Sequence, residues 1–329
     1  MQRGFRSNAG RRIVQLALRA ASHLRYDGAS VGVILMNLRA IFVSGLALGL
    51  FAGGAACGRK ADNAPPVATP SVTIDRPRAA LGSPIDVTYQ FEVAPGATFD
   101  GDYRVFVHFV DPDGELMWTD DHDPVPPTSQ WKAGDTIKYT RTLFVPIYPY
   151  VGEAFVELGL YGTGQQGRLP LAGQQQGQRA YRVAAMTLLP QTENVFIIFK
   201  DGWHPAEVVP DNVAVEWQWT KKDATCSFRN PRRNAVLMLH VDGQPPFLQE
   251  PQVVTVTLGE QTLDTFVLDS KAEVIRRIPV TALQMGNGDM VEIKLGVDKT
   301  FVPAKVAGGS SSDLRELGLR VFHVFVAPQ

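Results

Sequence analysis

Asp86-Val87-Thr88-Tyr89-Gln90-Phe91-Glu92-Val93 places apolar side chains at every second position, with polar ones between them. Successive side chains of an extended chain point to opposite faces, so a period of two marks a strand with one dry and one wet face. The same pattern recurs downstream. Tyr103 to Val110 reads as another strand, and the turn chemistry of Asp111-Pro112-Asp113-Gly114 sends the chain back through Leu116 and Trp118. Thr136 to Val145, Ala154 to Tyr161 and Val183 to Leu189 supply more. No long segment keeps a helical period. Short strands separated by turn residues predict an antiparallel, immunoglobulin-like β-sandwich over residues 72–189.

Residues 190–329 read the same way. Val195 to Phe199, Val213 to Trp219, Ala235 to Val241, Val253 to Leu258, Thr262 to Leu268, Val274 to Ile278, Met290 to Leu295 and Leu319 to Val326 are candidate strands. That number suits a jelly-roll-like sandwich. One helical turn is predicted at Asp313 to Leu317, with Asp313 as its cap, Glu316 reaching back and Gly318 ending it. The expected fold class is therefore all-β, with two antiparallel β-sandwich domains in series.

Upstream of the strands lies Leu38-Arg39-Ala40 and then an uncharged run to Ala56 that ends at Cys57. Glycine and alanine crowd toward the cysteine, and a polar, Pro-rich segment follows it. This stretch resembles the signal of bacterial lipoproteins, with Gly54 where that family usually has Leu or a similar aliphatic three positions before the cysteine. The resemblance implies a signal peptide over 36–56, lipidation of Cys57 and a flexible spacer over 57–71. Residues 1–35 fit poorly ahead of such a signal, so translation is expected to start at Met36, the alternative being a disordered Arg-rich arm. The implied address is the cell envelope, with a lipid anchor in the membrane. Gly58 after the cysteine is not an Asp, which points to the outer membrane or the periplasmic face.

Removal of residues 1–56 changes the charge. The chain has 32 basic and 33 acidic residues, of which the first 56 hold seven arginines and one Asp, leaving 25 against 32, a net charge of −7. A surface of that sign is repelled by phosphate backbones, so nucleic acid is not an expected partner. Lipidation of Cys57 leaves Cys226 without a partner, as a small apolar core residue.

Asp120-Asp121-His122-Asp123 is the densest polar cluster. Three carboxylates and an imidazole suit a divalent cation, oxygen ligands favouring calcium and the histidine a transition metal, while a solvated loop that only caps turns is the plainer reading. No other cofactor is expected. Tryptophans are the second candidate, since indole stacks on the apolar face of a sugar ring while polar neighbours take the hydroxyls. Trp131 beside Gln130 and Trp203 beside His204 are the placements best suited to a ligand. Trp217 and Trp219, two apart on one strand face, read as core.

Phe301-Val302-Pro303 followed by Asp313-Leu314-Arg315-Glu316-Leu317-Gly318 resembles a closing motif of β-sandwich modules in bacterial surface-polysaccharide proteins. Phe106 to Tyr161 resembles a recurrent extracellular β-sandwich module. Neither resemblance implies a definite activity. Nucleophile elbows, zinc-protease motifs and phosphate-cradling glycine loops are missing from the sequence. The expected function is a non-enzymatic binding or scaffolding module for glycan or a partner envelope protein. The alternative is a cell-surface hydrolase with a metal-assisted site at residues 120–123.

Overall fold

A computed structural model describes residues 64–162, 167–209, 212–245, 248–306 and 311–329. The first strands are β1 (Ala68–Ile74), β2 (Arg78–Ala80), β3 (Pro84–Val93), β4 (Tyr103–Val110), β5 (Leu116–Thr119), β6 (Thr136–Phe144), β7 (Gly152–Gly162), β8 (Gln174–Gly177) and β9 (Ala180–Leu189). They form one sheet in the order β1-β3-β6 and a second in the order β2-β9-β7-β4-β5, with β8 beside β9. Pairing is antiparallel except between β2 and β9. The alternation in β3 sets what is buried: Val87, Tyr89 and Phe91 are fully enclosed against Val105, Val107 and Leu158 of the facing sheet. The buried members of this core lie between Ala68 and Leu188.

The remaining strands are β10 (Ile197–Phe199), β11 (Glu207–Val209), β12 (Asn212–Trp219), β13 (Asp223–Arg229), β14 (Ala235–Val241), β15 (Gln252–Leu258), β16 (Gln261–Leu268), β17 (Val274–Val280), β18 (Met290–Val297) and β19 (Arg320–Pro328). Two five-stranded sheets result, β10-β13-β18-β15-β16 and β11-β12-β19-β14-β17. They enclose a second core between Cys226 and Val326, with Val195, Ile197 and Trp203 packed against it. The chain is thus all-β, built from antiparallel sheets stacked as β-sandwiches. Cys226 is 1% exposed in this core, and burial pushes its thiol up to about 12, with the Glu292 carboxylate acting in the same direction. Cys57, the signal-like stretch and residues 58–63 of the expected spacer lie outside the described residues. The far end of that spacer is corrected, because residues 68–71 open β1 and pair with β3, with Ala68 1% exposed.

Five strands escape the sequence reading, β1, β2, β8, β11 and β13, of which β2 and β8 have only three and four residues. In β13 the inward positions are Ala224, Cys226 and Phe228, of which only Phe228 is large, so the alternation is faint. The three residues of β11 are too short to show a period. The predicted helical turn at Asp313 to Leu317 is also corrected. Both carboxylate oxygens of Asp313 bind the Arg315 guanidinium at 2.7–3.0 Å, and Leu317 pairs with Phe301 as a β-bridge. The side chain that would have capped a helix is held by an ion pair. The one α-helix among the described residues, α1 (Ala282–Met285), starts instead at Thr281, whose hydroxyl accepts from Gln284 N while the Gln284 side chain accepts from Thr281 N.

The outer face of β14 and β19 meets the first sandwich. Met238 and Phe325 on that face are 3% and 8% exposed. Phe144 at the end of β6 stacks on His323 with ring centroids 3.9 Å apart and planes within 5°. Arg277 on β17 pairs with Asp86 and donates to Thr142 at 2.9 Å, and Asn194 in the joint donates to Leu81 O at 2.8 Å.

Thr281→Ala deletes the oxygen that starts α1, and is expected to lower stability by about 1 kcal/mol. Urea unfolding should report a lower midpoint with an unchanged slope.

Candidate functional site

Asp120 to Asp123 runs extended beside β4, with His122 paired to Val105 as a β-bridge. Extended backbone sends alternate side chains to opposite sides. Asp120 and His122 accordingly turn into the sandwich, 9% and 5% exposed, while Asp121 and Asp123 stay at the surface. The four side chains do not converge on a common point. Asp121 accepts from Val107 N at 3.0 Å and Asp123 pairs with Arg104 at 2.9 Å. Among the described residues no group of three or more His, Cys, Asp and Glu side chains is placed to share a metal ion.

The inward pair joins a polar network instead. Arg141 grips Asp120 with Nη2 at 2.8 Å from Oδ1 and Nε at 2.9 Å from Oδ2, and Tyr89 donates to Oδ2 at 2.9 Å. His122 Nδ1 lies 2.7 Å from Asp120 O, which can only accept, so Nδ1 carries hydrogen and Nε2 is left to receive the Tyr139 hydroxyl at 2.8 Å. Burial alone would raise the Asp120 carboxyl, but hydrogen bonds from His122 and Arg141 and the guanidinium charge hold it below the usual carboxylate range. Burial, reinforced by the Asp120 charge, raises both tyrosines. With Asp120 ionised and both phenols protonated, the network has no acid or base that is both free and reachable. It serves to lock the segment onto the sheet.

The tryptophans are similarly engaged. Trp131 is 6% exposed, packs on Phe91 and Phe99, and donates its indole N–H to Pro126 O at 2.8 Å. Its ring faces the first core, so the sugar-stacking placement expected for it is corrected. Gln130 beside it is exposed. Trp203 donates to Thr225 O at 2.7 Å and meets Phe199 edge-on, and His204 Nε2 lies 2.7 Å from Glu316 O. Trp217 and Trp219 are half-buried on the sheet surface, where the Arg320 guanidinium lies over their rings at 5.2 and 5.9 Å.

The concave surface lies elsewhere, where the joint passes between the sandwiches. A cleft of about 420 Å³ is bounded by Phe144 and Ile147 from the first sandwich and by Val195, Phe196, Ile197 and Phe199 after the joint. Its rim is unusually apolar for a surface. Ile147 is 69% and Phe196 55% exposed. Its polar groups are few: Gln191, Asn194, Glu216 and His323. Asn194 has already given its amide to Leu81. A smaller cavity of about 200 Å³ continues along β19 past Phe325 to Pro328, beside Arg78.

His323 forms part of the cleft wall through a row of hydrogen bonds. Glu273 Oε2 lies 2.8 Å from His240 Nε2, and His240 Nδ1 lies 3.2 Å from His323 Nδ1. Burial pushes His323 down to about 4, and the His240 charge adds to the effect. It is thus neutral at pH 7 under the Phe144 ring. Sequence reasoning missed this wall because His240, His323 and Phe144 are far apart in the chain. The apolar run Phe196-Ile197-Ile198-Phe199 was the available signal, since it leaves one face of an edge strand uncovered.

No protein-family model matches the chain, and no curated protein sequence does. Among solved structures, a β-glucuronidase of Bacteroides uniformis aligns over 79% of this chain and 30% of its own, at 9% identity and a TM-score of 0.27. The tandem CBM22-1–CBM22-2 domain of Paenibacillus barcinonensis Xyn10C aligns over 76% of this chain and 79% of its own, at 10% identity and a TM-score of 0.24. The collagen adhesin of S. aureus aligns over 80% and 96%, at 9% identity and a TM-score of 0.18. This chain spans less than a third of the glucuronidase. Likeness at this level carries nothing about its ligand.

Calcium, zinc or EDTA should leave the melting temperature unmoved, because a ligand of the folded state alone would raise it. A shift of several degrees with either metal would show that a site exists. Acid should destabilise the fold by a definite route. The folded His323 value lies below the unfolded one of about 6.5, so between the two the unfolded chain binds the extra proton. Its contribution is complete above about pH 6.5 and is lost as pH falls toward 4, on the order of 3 kcal/mol in all. His323→Phe keeps a ring under Phe144 and should flatten that slope in urea titrations at stepped pH.

Proposed function

We propose that this chain is a lipid-anchored cell-envelope module that binds a partner polypeptide, without catalysis, in the cleft between its two β-sandwich domains, residues 72–189 and 190–329. One observation carries the reading: a concave, Phe- and Ile-lined surface stays open to solvent at a position where neighbouring elements are otherwise packed. Exposed apolar patches of this kind favour association, and clefts between domains are preferred ligand sites. Chemistry favours protein over glycan as occupant. A sugar needs several free hydrogen-bonding side chains around its hydroxyls, whereas this lining is mostly aliphatic and aromatic, with Asn194 and His323 Nδ1 already engaged. Anchoring at Cys57 rests on the resemblance of residues 36–57 to lipoprotein signals, and the acidic remainder of the chain leaves lipid to supply the attachment.

A photo-crosslinking residue tests this in the producing cells. Placed at Phe196 in the cleft, it should yield a discrete crosslinked polypeptide. Placed at Leu283, which is 90% exposed on α1, it should yield none. Equal labelling from both sites, or none from Phe196, would remove the cleft as the binding surface. Cys57→Ser should move the chain from the membrane pellet to the soluble fraction.

A further inference from the structure

The cleft contains an opening in a sheet. β19 lies between β12 and β14, and its pairing with β14 runs the full length from Val241↔Val321 to Ala235↔Pro328. Its pairing with β12 covers only Gln218↔Val321 and Trp219↔Arg320. From Phe322 onward one side of β19 has no strand beside it among the described residues.

A bulge explains the break. The register against β14 jumps between His240↔His323 and Val241↔Val321, so Phe322 is the extra residue on β19. Such a residue reverses which peptide groups face which neighbour. Before it, Leu319 O accepts from Thr220 at the start of β12's side and Arg320 O accepts from Asp242 on β14's side. After it the phase is fixed by Gln329 N donating to Asn234 O at 2.8 Å. Antiparallel bonds recur every second residue, so Ala327, Phe325 and His323 bond to β14. The peptide groups of Val324 and Val326 therefore turn away from β14; half-buried Val324 meets the opening, whereas Val326 is 1% exposed and covered.

Both cavities border this free edge. The larger contains Glu216 of β12, residues 322–325 of β19 and, from the facing sheet, Ile197. The smaller follows residues 325–328 and reaches Arg78 and Ala80 on β2, itself an edge strand. The slot thus offers the main-chain N–H and C=O of Val324 at its open end, with apolar side chains on two sides. Exposed Glu216 stands at one end and exposed Arg78 at the other, and neither forms an ion pair among the described residues.

We propose that the gap between β12 and β19 is a strand-addition site, in which an extended segment of a partner polypeptide pairs antiparallel with Phe322–Pro328. The inference rests on the binding reading of the same cleft and specifies its occupant. Main-chain pairing supplies affinity and the flanking pockets supply selectivity. One row of the guest's side chains would sit over Val195 and Ile197 and the other against Phe144 and Ile147, so the guest is apolar on both faces. An antiparallel guest begins near Arg78 and ends near Glu216. Charge complementarity then asks for an acidic residue at its start and a basic one at its end.

Amide exchange by NMR on the full chain tests this. Without ligand, the Val324 amide should exchange at least about 100-fold faster than those of Phe325 and Ala327, which β14 protects. A displayed library of random heptapeptides, selected against the full chain, should enrich two-faced apolar sequences. A synthetic copy of the leading clone should slow Val324 exchange, and N-methylation of its alternate peptide bonds should weaken it at least about tenfold. Equal protection of all three amides in the free chain, or no enrichment, would overturn the proposal. So would Val324 protection that rises with protein concentration alone, which would assign the slot to a second copy, or protection conferred by polysaccharide. A crosslink from Phe196 together with unprotected Val324 would leave binding in the cleft standing and remove strand addition. Absence of both would remove the two together.

Discussion

The Phe144 ring lying flat on His323 is the contact on which the rest depends. It joins the last residue of β6 to the middle of β19, and so brings the joint, the exposed Phe196 and the free edge of β19 around one space. Aromatic contacts of this kind are worth roughly 1 kcal/mol beyond the area they bury, which is modest. The flanking Arg277–Asp86 pair and the Asn194–Leu81 hydrogen bond share the load, but both sit at the edges of the contact. The ring pair and Asn194 line the cleft, and the histidine is neutral at pH 7 beneath the apolar cover.

The cleft owes its second feature to a single extra residue. Without the bulge at Phe322, the peptide phase that matches β12 at Val321 would continue along β19 and favour closure of the sheet. With it, β12 and β19 part after two pairs, and the sandwich keeps an opening bordered by its neighbour. An open strand edge ordinarily invites aggregation. Here the joint and the first sandwich restrict access to it, which makes the edge selective for a slender guest. Asp120 illustrates the opposite use of polar groups. Its carboxylate, Arg141, His122 and the two tyrosines satisfy one another inside the sandwich, and what reads in the sequence as a cluster of ligands becomes a fastening.

Much of the architecture was legible because it is local. Period-two alternation from Val87 to Val93 and from Tyr103 to Val110 identified strands whose inner faces are indeed enclosed, and it did so without knowledge of their partners. What alternation cannot convey is where an extended loop will lie. Asp120 to Asp123 looked like one cluster in the sequence, yet strand-like backbone divides it between two faces. Trp131 looked exposed beside prolines, but Phe91 and Phe99 give its ring a closer home. The cleft was invisible for a different reason. Its walls come from residues more than a hundred positions apart, Phe144 and His323, and its opening comes from a register change that no composition records.

The most direct measurement is the titration of the His323 imidazole by NMR in the full chain. Enclosure under Phe144 predicts a midpoint of about 4 that moves back toward 6.5 in Phe144→Ala. A midpoint near 6.5 in the native chain would mean that the ring is solvated, the wall of the cleft is not formed, and the account is contradicted.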